Sequence, residues 1–194
     1  KKLKALKNIA AVDQFRALDI TYNNLPVVLA SGDFSVLSQY GNLVIKSGPS
    51  AQELDRLMVR QNRAMVSEAF SIKHKVSTGD TITLQTPNGP AQMEVAAIYF
   101  DYSRDRGYII LDRTTFLSYY QDSAINSFVI YIRDKTELDS VRKDVLKSLN
   151  DYRLIIRSNS ELKTQVLEVF DKTFAITYSL EIIAILVAVL GLFN

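Results

Sequence analysis

The chain has 194 residues, 47% of them hydrophobic, which is enough for one elongated domain or two small lobes with a buried core. Its formal net charge is +2, so it lacks the strong positive field that proteins use to bind nucleic acid. It contains no cysteine and one histidine, His74, which excludes disulfides, thiolate metal sites and a cysteine nucleophile.

The first ten residues predict a short amphipathic helix. Lysines occupy positions 1, 2, 4 and 7, whereas Leu3, Leu6 and Ile9 share the opposite face. This pattern suits a segment at a membrane surface that follows an earlier membrane helix, and it suits a solvated helix end equally well. The sequence shows no signal peptide and does not begin with methionine, so we expect its N-terminus to be a cut end.

Residues 12–157 predict strands mixed with short helices, the pattern of an α+β domain. The predicted strands cover residues 12–22, 25–31, 64–66, 81–86, 92–100, 108–111, 127–133 and 153–157, with a strand end and loop at 42–49. The predicted helices cover residues 34–40, 51–58, 68–75, 113–120 and 137–149. The predicted N-caps are Asp33, Ser67, Asp112 and Thr136.

Two turns are predicted with particular clarity. Asn23 and Asn24 suit a tight turn because asparagine tolerates positive φ. The run Pro-Asn-Gly-Pro at 87–90 lies between alternating segments and predicts a β-hairpin. The return strand is apolar on both faces over residues 95–100, so we expect it to be central in a sheet.

Residues 158–194 predict one continuous helix that leaves a folded domain and enters a membrane. Ser158 and Glu161 have the spacing of a capping box at its start. Apolar residues then recur at helical spacing between charged ones up to Lys172, after which Glu181 is the only charged residue. The apolar run 182–193 stops without a cap, as expected of a transmembrane helix that is cut short.

The competing interpretation is a buried core helix. Spanning a bilayer needs ~20 mostly apolar residues, and a charged side chain at the bilayer centre costs about 2.5–3.5 kcal/mol. A soluble helix of this length would, however, carry a polar stripe along its whole length, and the sequence shows none after Glu181. We therefore predict that Glu181, Ile182, Leu186 and Leu190 are embedded in the membrane, Glu181 facing either a protein neighbour or the interface.

One region of the chain is rich in aromatic residues. If they are exposed together, Tyr102, Tyr119 and Tyr120 would form a surface for a partner protein or lipid. The alternative is that these residues belong to the core and to sheet faces.

No catalytic, cofactor or metal site is predicted. The loop 101–112 places oxygen ligands as an EF-hand does, but its glycine comes one place late and it contains two arginines, so a salt-bridged loop is expected instead. Serines and an aspartate near His74 could form a hydrolase triad, yet the sequence has no nucleophile-elbow motif. We expect His74 to be a surface residue at a helix end.

The chain resembles the FtsX-like, or MacB-like, permease subunits of ABC transporters, over most of its length and least over residues 1–41. The resemblance lies in the order and spacing of several short stretches: Val-Ser-Glu-Ala at 66–69, Gly-Asp-Thr-Ile-Thr-Leu at 79–84, Pro-Asn-Gly at 87–89, the run at 95–99, Phe-Asp-Tyr at 100–102, Gly-Tyr-Ile at 107–109, Leu-Asp-Arg at 111–113, and the helix start at 169–177.

The resemblance implies an extracytoplasmic domain of two lobes followed by a membrane helix. A βαββαβ-like porter lobe would comprise residues 1–41 and 122–157, a β-rich inserted lobe residues 42–121, and the stalk and truncated transmembrane helix residues 158–194. Residues from about 10 to 165 would lie outside the cytoplasmic (inner) membrane.

The resemblance also implies a role in transport and no enzymatic activity of this chain. A separate cytoplasmic ATPase subunit would bind and hydrolyse ATP, and the permease would use that motion to move a lipid, lipoprotein, peptide or partner protein. Accordingly, the sequence contains no G-x-x-x-x-G-K-[ST] motif. Membrane lipids and an extracytoplasmic protein or lipoprotein are the further expected partners. The alternative is the ligand- or partner-binding ectodomain of a membrane-anchored sensor or cell-wall regulator.

Overall fold

The computed structural model describes residues 3–101 and 105–192. Within these ranges the strands are β1 (Ile9–Tyr22), β2 (Leu25–Gly32), β3 (Ile45–Ser47), β4 (Arg63–Ser67), β5 (Thr81–Thr86), β6 (Gly89–Tyr99), β7 (Tyr108–Asp112) and β8 (Ser127–Ile132). The helices are α1 (Phe34–Tyr40), α2 (Leu54–Met58), α3 (Glu68–His74), α4 (Arg113–Tyr120), α5 (Leu138–Ser148) and α6 (Asn159–Leu192). Single 3₁₀ turns cover Leu3–Ala5 and Lys135–Glu137.

All eight strands belong to one mixed sheet, in the order β3-β6-β4-β7-β2-β1-β8, with β5 paired to β6. The hairpins β1–β2 and β5–β6 are antiparallel, whereas β2–β7 and β4–β6 are parallel. The first hairpin turns at Asn23 and Asn24, both with positive φ (47° and 62°), and the second turns at residues 87–88. The predicted α+β class and both predicted turns are confirmed.

The strands assigned to the two predicted lobes are continuous with one another in this sheet. β2 of the first segment pairs with β7 of the predicted insertion, in register from Val28 opposite Tyr108 to Gly32 opposite Asp112. The chain divides instead into a unit Lys1–Ser148, which contains every strand of the described residues, and a unit Leu149–Asn194. The lobe boundaries near 41 and 121 stay a prediction.

Helices cover both faces of the sheet because the strands place apolar side chains alternately on each side. One core cluster contains Phe70 of α3 and Phe116 of α4, packed with strand residues such as Leu29. The other contains Phe34 of α1 and Leu54 of α2, packed with Ala30 of the same strand. β6 carries apolar side chains into both clusters and contacts three neighbouring strands, which confirms its predicted central position.

The predicted N-terminal helix is wrong beyond its first turn. The 3₁₀ turn ends at Ala5, Asn8 has a φ of 68° that no helix contains, and Ile9 already belongs to β1 opposite Ile132 of β8. The Asn8 side chain bonds Asp134 in both directions: its Nδ2 donates to the Asp134 carbonyl (3.0 Å), and its Oδ1 accepts from the Asp134 N–H (2.9 Å). Because these two bonds join residues far apart in the chain, they stabilise the start of β1 in place of a longer helix.

Two predictions near the end of the sheet domain are also wrong. The Thr136 hydroxyl does not cap α5: Asp134 accepts from the Thr136 N–H (2.9 Å) and from its hydroxyl (2.7 Å), because a carboxylate is the stronger acceptor. Residues 153–157 alternate as a strand does, yet they form no strand in the part of the chain that is described. The Ile155 side chain is 84% exposed, so the strand-like alternation of this segment does not bury it.

Candidate membrane helix and partner surface

The start of α6 is set by the predicted capping box. The Glu161 N–H donates to the Ser158 hydroxyl (3.1 Å), and the Ser158 N–H donates to the Glu161 carboxylate (2.9 Å). These bonds satisfy N–H groups that no intrahelical carbonyl reaches, which is why the helix begins at Asn159.

Three hydroxyl groups of α6 are satisfied inside the helix itself. Thr173 donates to the Val169 carbonyl (2.9 Å), Thr177 to the Thr173 carbonyl (3.3 Å), and Ser179 to the Ala175 carbonyl (2.8 Å). A hydroxyl that bonds four residues back needs no water, so these side chains are compatible with a hydrocarbon environment.

In the described residues, one helix is long and apolar enough to cross a membrane, with a candidate span of Asn159–Gly191. Ile182, Leu186 and Leu190 follow one another at four-residue spacing and are 59%, 57% and 69% exposed. Glu181 lies beside them and is also exposed. A helix with this much uncovered apolar surface needs an apolar surrounding. The placement of these four residues inside a membrane stays a prediction.

The predicted aromatic surface is fixed to the core through two of its members. The Tyr119 hydroxyl donates to Asn62 Oδ1 (3.0 Å), and the Tyr120 hydroxyl donates to the Gln85 carbonyl (3.0 Å). Tyr120 also stacks on Phe116, with ring centroids 4.9 Å apart, and its burial raises the pKa of its phenol. Both tyrosines are half-buried, and Tyr102 lies outside the described residues. Their role towards a partner stays a prediction.

His74 lies among aromatic rings. Its ring centroid is 4.9 Å from that of Tyr22 and 4.5 Å from that of Phe70, and burial together with the charge of Lys73 lowers the pKa of its imidazole. The nearby Ser71 hydroxyl donates to the Val76 carbonyl (2.7 Å) instead of to His74. The expected position at a helix end is correct, but Nε2 is buried, so His74 is only in part a surface residue.

The Leu-Asp-Arg motif at 111–113 organises one end of the sheet. Asp112 caps α4 by accepting from the Thr114 N–H (3.0 Å), and its other oxygen accepts from the Phe34 N–H (3.3 Å) at the start of α1. The Asp33 side chain, the predicted cap of α1, makes no capping bond. The Asp112 carboxylate therefore accepts hydrogen bonds from the N-terminal ends of two helices, α4 and α1.

Within the described ranges, no group of three or more His, Cys, Asp or Glu residues is arranged to hold a metal ion.

Arg113 and Arg16 hold the loop that leads from α4 to β8. The Arg113 guanidinium donates to the Ser123 and Ala124 carbonyls (3.1 and 3.2 Å), and Arg16 forms an ion pair with Asp122 (2.7 Å). This motif, one of several that carry the family resemblance, thus has a structural role: Asp112 joins two helix ends and Arg113 fixes a loop.

Sequence reasoning missed an open polar cleft between α4 and the loop before β4, where Arg60 and Asn62 face the side of the helix that carries Thr114 and Ser118. The four-residue spacing of Thr114 and Ser118 was the one local signal. The loop approaches the helix only in the folded protein, and no local sequence pattern predicts that approach.

The sequence is 26% identical over 132 residues, 67% of this chain, to the uncharacterized ABC transporter permease protein Rv0987 of Mycobacterium tuberculosis. The chain spans only 15% of that relative's length. No protein-family model matches the sequence.

Two solved structures have a similar fold. The extracellular domain of the noncanonic ABC-type transporter YknZ from Gram-positive bacteria has a TM-score of 0.57 and 13% identity, covering 77% of this chain and 79% of that one. The periplasmic region of MacB from Actinobacillus actinomycetemcomitans has a TM-score of 0.56 and 17% identity, covering 86% and 79%. The predicted resemblance is therefore confirmed: in sequence the chain is similar to an ABC transporter permease, and its fold is the MacB-like fold of the extracytoplasmic domains of such transporters.

Proposed function

We propose that this chain is the extracytoplasmic domain and the following membrane helix of an ABC transporter permease. The observation that carries the proposal is the presence, in one chain, of the MacB-like sheet domain and of a capped, continuous helix with the composition of a membrane span. ATP would be bound and hydrolysed by a separate cytoplasmic subunit, as the resemblance to FtsX-like permease subunits implies.

The mechanical role that we propose for α6 is that of a lever. The helix runs from Asn159 to Leu192, with no proline anywhere and with glycine only at position 191. An uninterrupted helix transmits displacement along its axis, whereas kinks arise at proline or at disrupted hydrogen bonds. Movement of the membrane part would thereby reach the covalently joined sheet domain, which would act on a lipid, lipoprotein, peptide or partner protein outside the cytoplasmic membrane.

The second candidate function is a partner-binding ectodomain of a membrane-anchored sensor or cell-wall regulator. It would use the same sheet domain and the same helix, and the difference lies in the complete parent chain. Several further membrane helices favour the permease, and a single span followed by a signalling domain favours the sensor. The sequence similarity to a permease favours the first.

The experiment that tests the proposal is cysteine accessibility labelling of the complete parent chain in cells. Single cysteines would replace Asn88 in the β5–β6 turn, Ser158 at the start of α6, and Leu190 near its end; the native sequence has no cysteine in this region. We expect a membrane-impermeant reagent to label positions 88 and 158 from outside, with position 190 protected by lipid. Labelling of 88 only after the cytoplasmic membrane is opened would refute the extracytoplasmic placement.

A further inference from the structure

An open cleft lies on the sheet domain between α4 and the loop that leads from α2 into β4. Its volume is about 330 Å³, and the residues that line it are Arg60, Asn62, Thr114, Thr115 and Ser118. Two hydrogen bonds fix its walls. The Thr115 hydroxyl donates to the Gln61 carbonyl (3.0 Å), and the Tyr119 hydroxyl donates to Asn62 Oδ1 (3.0 Å). The helix and the loop are thus joined at two points, and the cleft between them is preformed.

Arg60 is the one charged residue of the cleft, and it has no protein partner among the described residues. Three other basic side chains of this domain form ion pairs: Arg16 with Asp122, Lys46 with Glu68 and Arg63 with Glu94. Arg60 is exposed, and its backbone has a φ of 56°, a conformation that a long side chain rarely adopts and that glycine or asparagine would adopt more readily. The chain therefore presents a guanidinium at a position where other residues would fit the backbone better.

Some side chains of the cleft offer hydrogen-bond donors and others offer acceptors. Tyr119 donates to Asn62 Oδ1, which leaves the Asn62 amide group as a donor beside the Arg60 guanidinium. The three hydroxyls donate elsewhere: Thr114 to Asp112, Thr115 to the Gln61 carbonyl, and Ser118 to the Thr115 carbonyl (2.7 Å). Their oxygens therefore offer lone pairs to an incoming N–H group. The cleft can therefore offer donors to an anion and acceptors to hydrogen-bond donors.

We propose that this cleft binds an acidic segment of an extracytoplasmic protein partner. A glutamate or aspartate carboxylate would accept from the Arg60 guanidinium and the Asn62 amide, in the paired geometry that arginine forms with carboxylates. Backbone N–H groups of the same segment would donate to the hydroxyls of Thr114 and Ser118. A peptide brings backbone N–H donors at regular spacing beside its carboxylates, whereas a lipid phosphate would accept from Arg60 and Asn62 and has donors only in its headgroup. This inference rests on the proposed function, whose partner it describes chemically.

The test is a titration of the full chain in nonionic detergent, labelled with ¹⁵N only at arginine. The probe is an acetylated peptide of alternating glycine and glutamate, and the matched control peptide has glutamine in place of glutamate. The Nε–Hε resonance of Arg60 is assigned by its disappearance in Arg60→Asn. We expect the glutamate peptide to shift this resonance and the glutamine peptide to leave it unchanged.

Arg60→Asn is chosen because asparagine tolerates the positive φ at this position, so the variant should remain folded. We expect it to weaken binding of the glutamate peptide about tenfold or more, as the loss of a charge-assisted hydrogen bond does. Asn62→Asp should weaken binding similarly by placing a negative charge beside the ligand. Arg133→Gln makes the same charge change as Arg60→Asn at an exposed position outside the cleft and should bind as the native chain does.

Three outcomes would overturn the inference. Equal affinity of the glutamate peptide for Arg60→Asn and for the native chain would show that the cleft does not bind it. A loss of affinity in Arg133→Gln as large as that in Arg60→Asn would show the same. A shift of the Arg60 resonance by inorganic phosphate or phosphatidylglycerol vesicles, but not by the glutamate peptide, would assign the cleft to phosphate or lipid instead. Failure here leaves the topology experiment unaffected, so the two proposals fail separately.

Discussion

Gly107 lies at a point where the sheet domain leaves no space for a side chain. Its φ is 84°, and a Cβ placed there would lie 2.8 Å from the Phe70 nitrogen and 2.9 Å from its Cα, both backbone atoms of α3. Phe70 is fully buried, so neither side moves without cost. The close approach explains why glycine stands at the start of the Gly-Tyr-Ile motif that carries part of the family resemblance.

Gly107→Ala should therefore lower the free energy of unfolding of the sheet domain by about 2 kcal/mol or more, measured by urea denaturation. Gly79→Ala is the matched control, because Gly79 has a similar φ of 92° but nothing within 4 Å of the added Cβ. It should show only the conformational cost of about 1 kcal/mol. Equal losses in the two variants would show that the contact with α3 contributes nothing.

Asp13 is a carboxylate inside the sheet domain, with 3% of its surface exposed. It accepts from the Asp33 N–H (2.8 Å), but burial raises the pKa of its carboxyl above the ordinary 3.8, and the charges of Asp33 and Asp112 raise that pKa further. A folded state with a raised pKa binds the proton more tightly than the unfolded chain does. The contribution of Asp13 to stability is therefore greatest at acidic pH and is lost as pH rises through the folded-state pKa.

Asp13→Asn keeps an acceptor for the Asp33 N–H and removes the charge. Relative to the native chain, the variant should gain free energy of unfolding as pH rises from about 4 to about 7, in urea denaturation at each pH. Asp19→Asn on the same strand is the control, since it makes the same charge change at a side chain that is 71% exposed. A flat difference between Asp13→Asn and native across this range would contradict the raised pKa.

At the scale of elements, α6 differs from the five shorter helices in how it is stabilised. α1 to α5 each contain buried side chains, whereas every described side chain of α6 is exposed. In water its stability would depend on its length, its cap and its internal bonds alone. In a membrane the same uncovered apolar surface is favourable, and the backbone bonds gain strength without competing water.

Val169→Pro should interrupt α6 on the N-terminal side of its apolar segment. Proline removes one backbone bond and clashes with the preceding turn, at a cost of about 3 kcal/mol in a helix interior. In the assembled transporter we expect ATP hydrolysis to continue while export falls, because the lever that we propose is broken. Val169→Ala keeps the helix intact and should retain both ATP hydrolysis and export. Undiminished export by the proline variant would refute the lever hypothesis.

At the scale of the whole molecule, the sheet and both core clusters belong to the unit Lys1–Ser148. Its strands are neighbours in space but distant in sequence, as β1 and β8 are, so we expect them to unfold together.

A chain shortened after Ser148 should therefore fold alone. We expect one cooperative thermal transition, with a Tm close to that of the sheet domain in the full chain, measured by circular dichroism. A shortened chain that unfolds gradually or binds a hydrophobic dye in the cold would contradict this independence.

Features that depend on neighbouring residues were predictable from the sequence. The capping box of Ser158 and Glu161, the turn at Asn23 and Asn24, and the apolar length of α6 all follow from local chemistry over a few residues. Hydrogen bonds within one turn and hydrophobic periodicity need no knowledge of the rest of the chain.

Other features were decided only by tertiary structure. Residues 153–157 have the alternation of a strand but form none, because a strand exists only where another strand offers hydrogen bonds. The polar cleft at Arg60 likewise depends on which distant segments meet. By itself the sequence determined the local elements and the family resemblance. The sheet order, the buried carboxylate and the cleft came from the three-dimensional packing, because pairing and burial are relations between residues far apart in the chain.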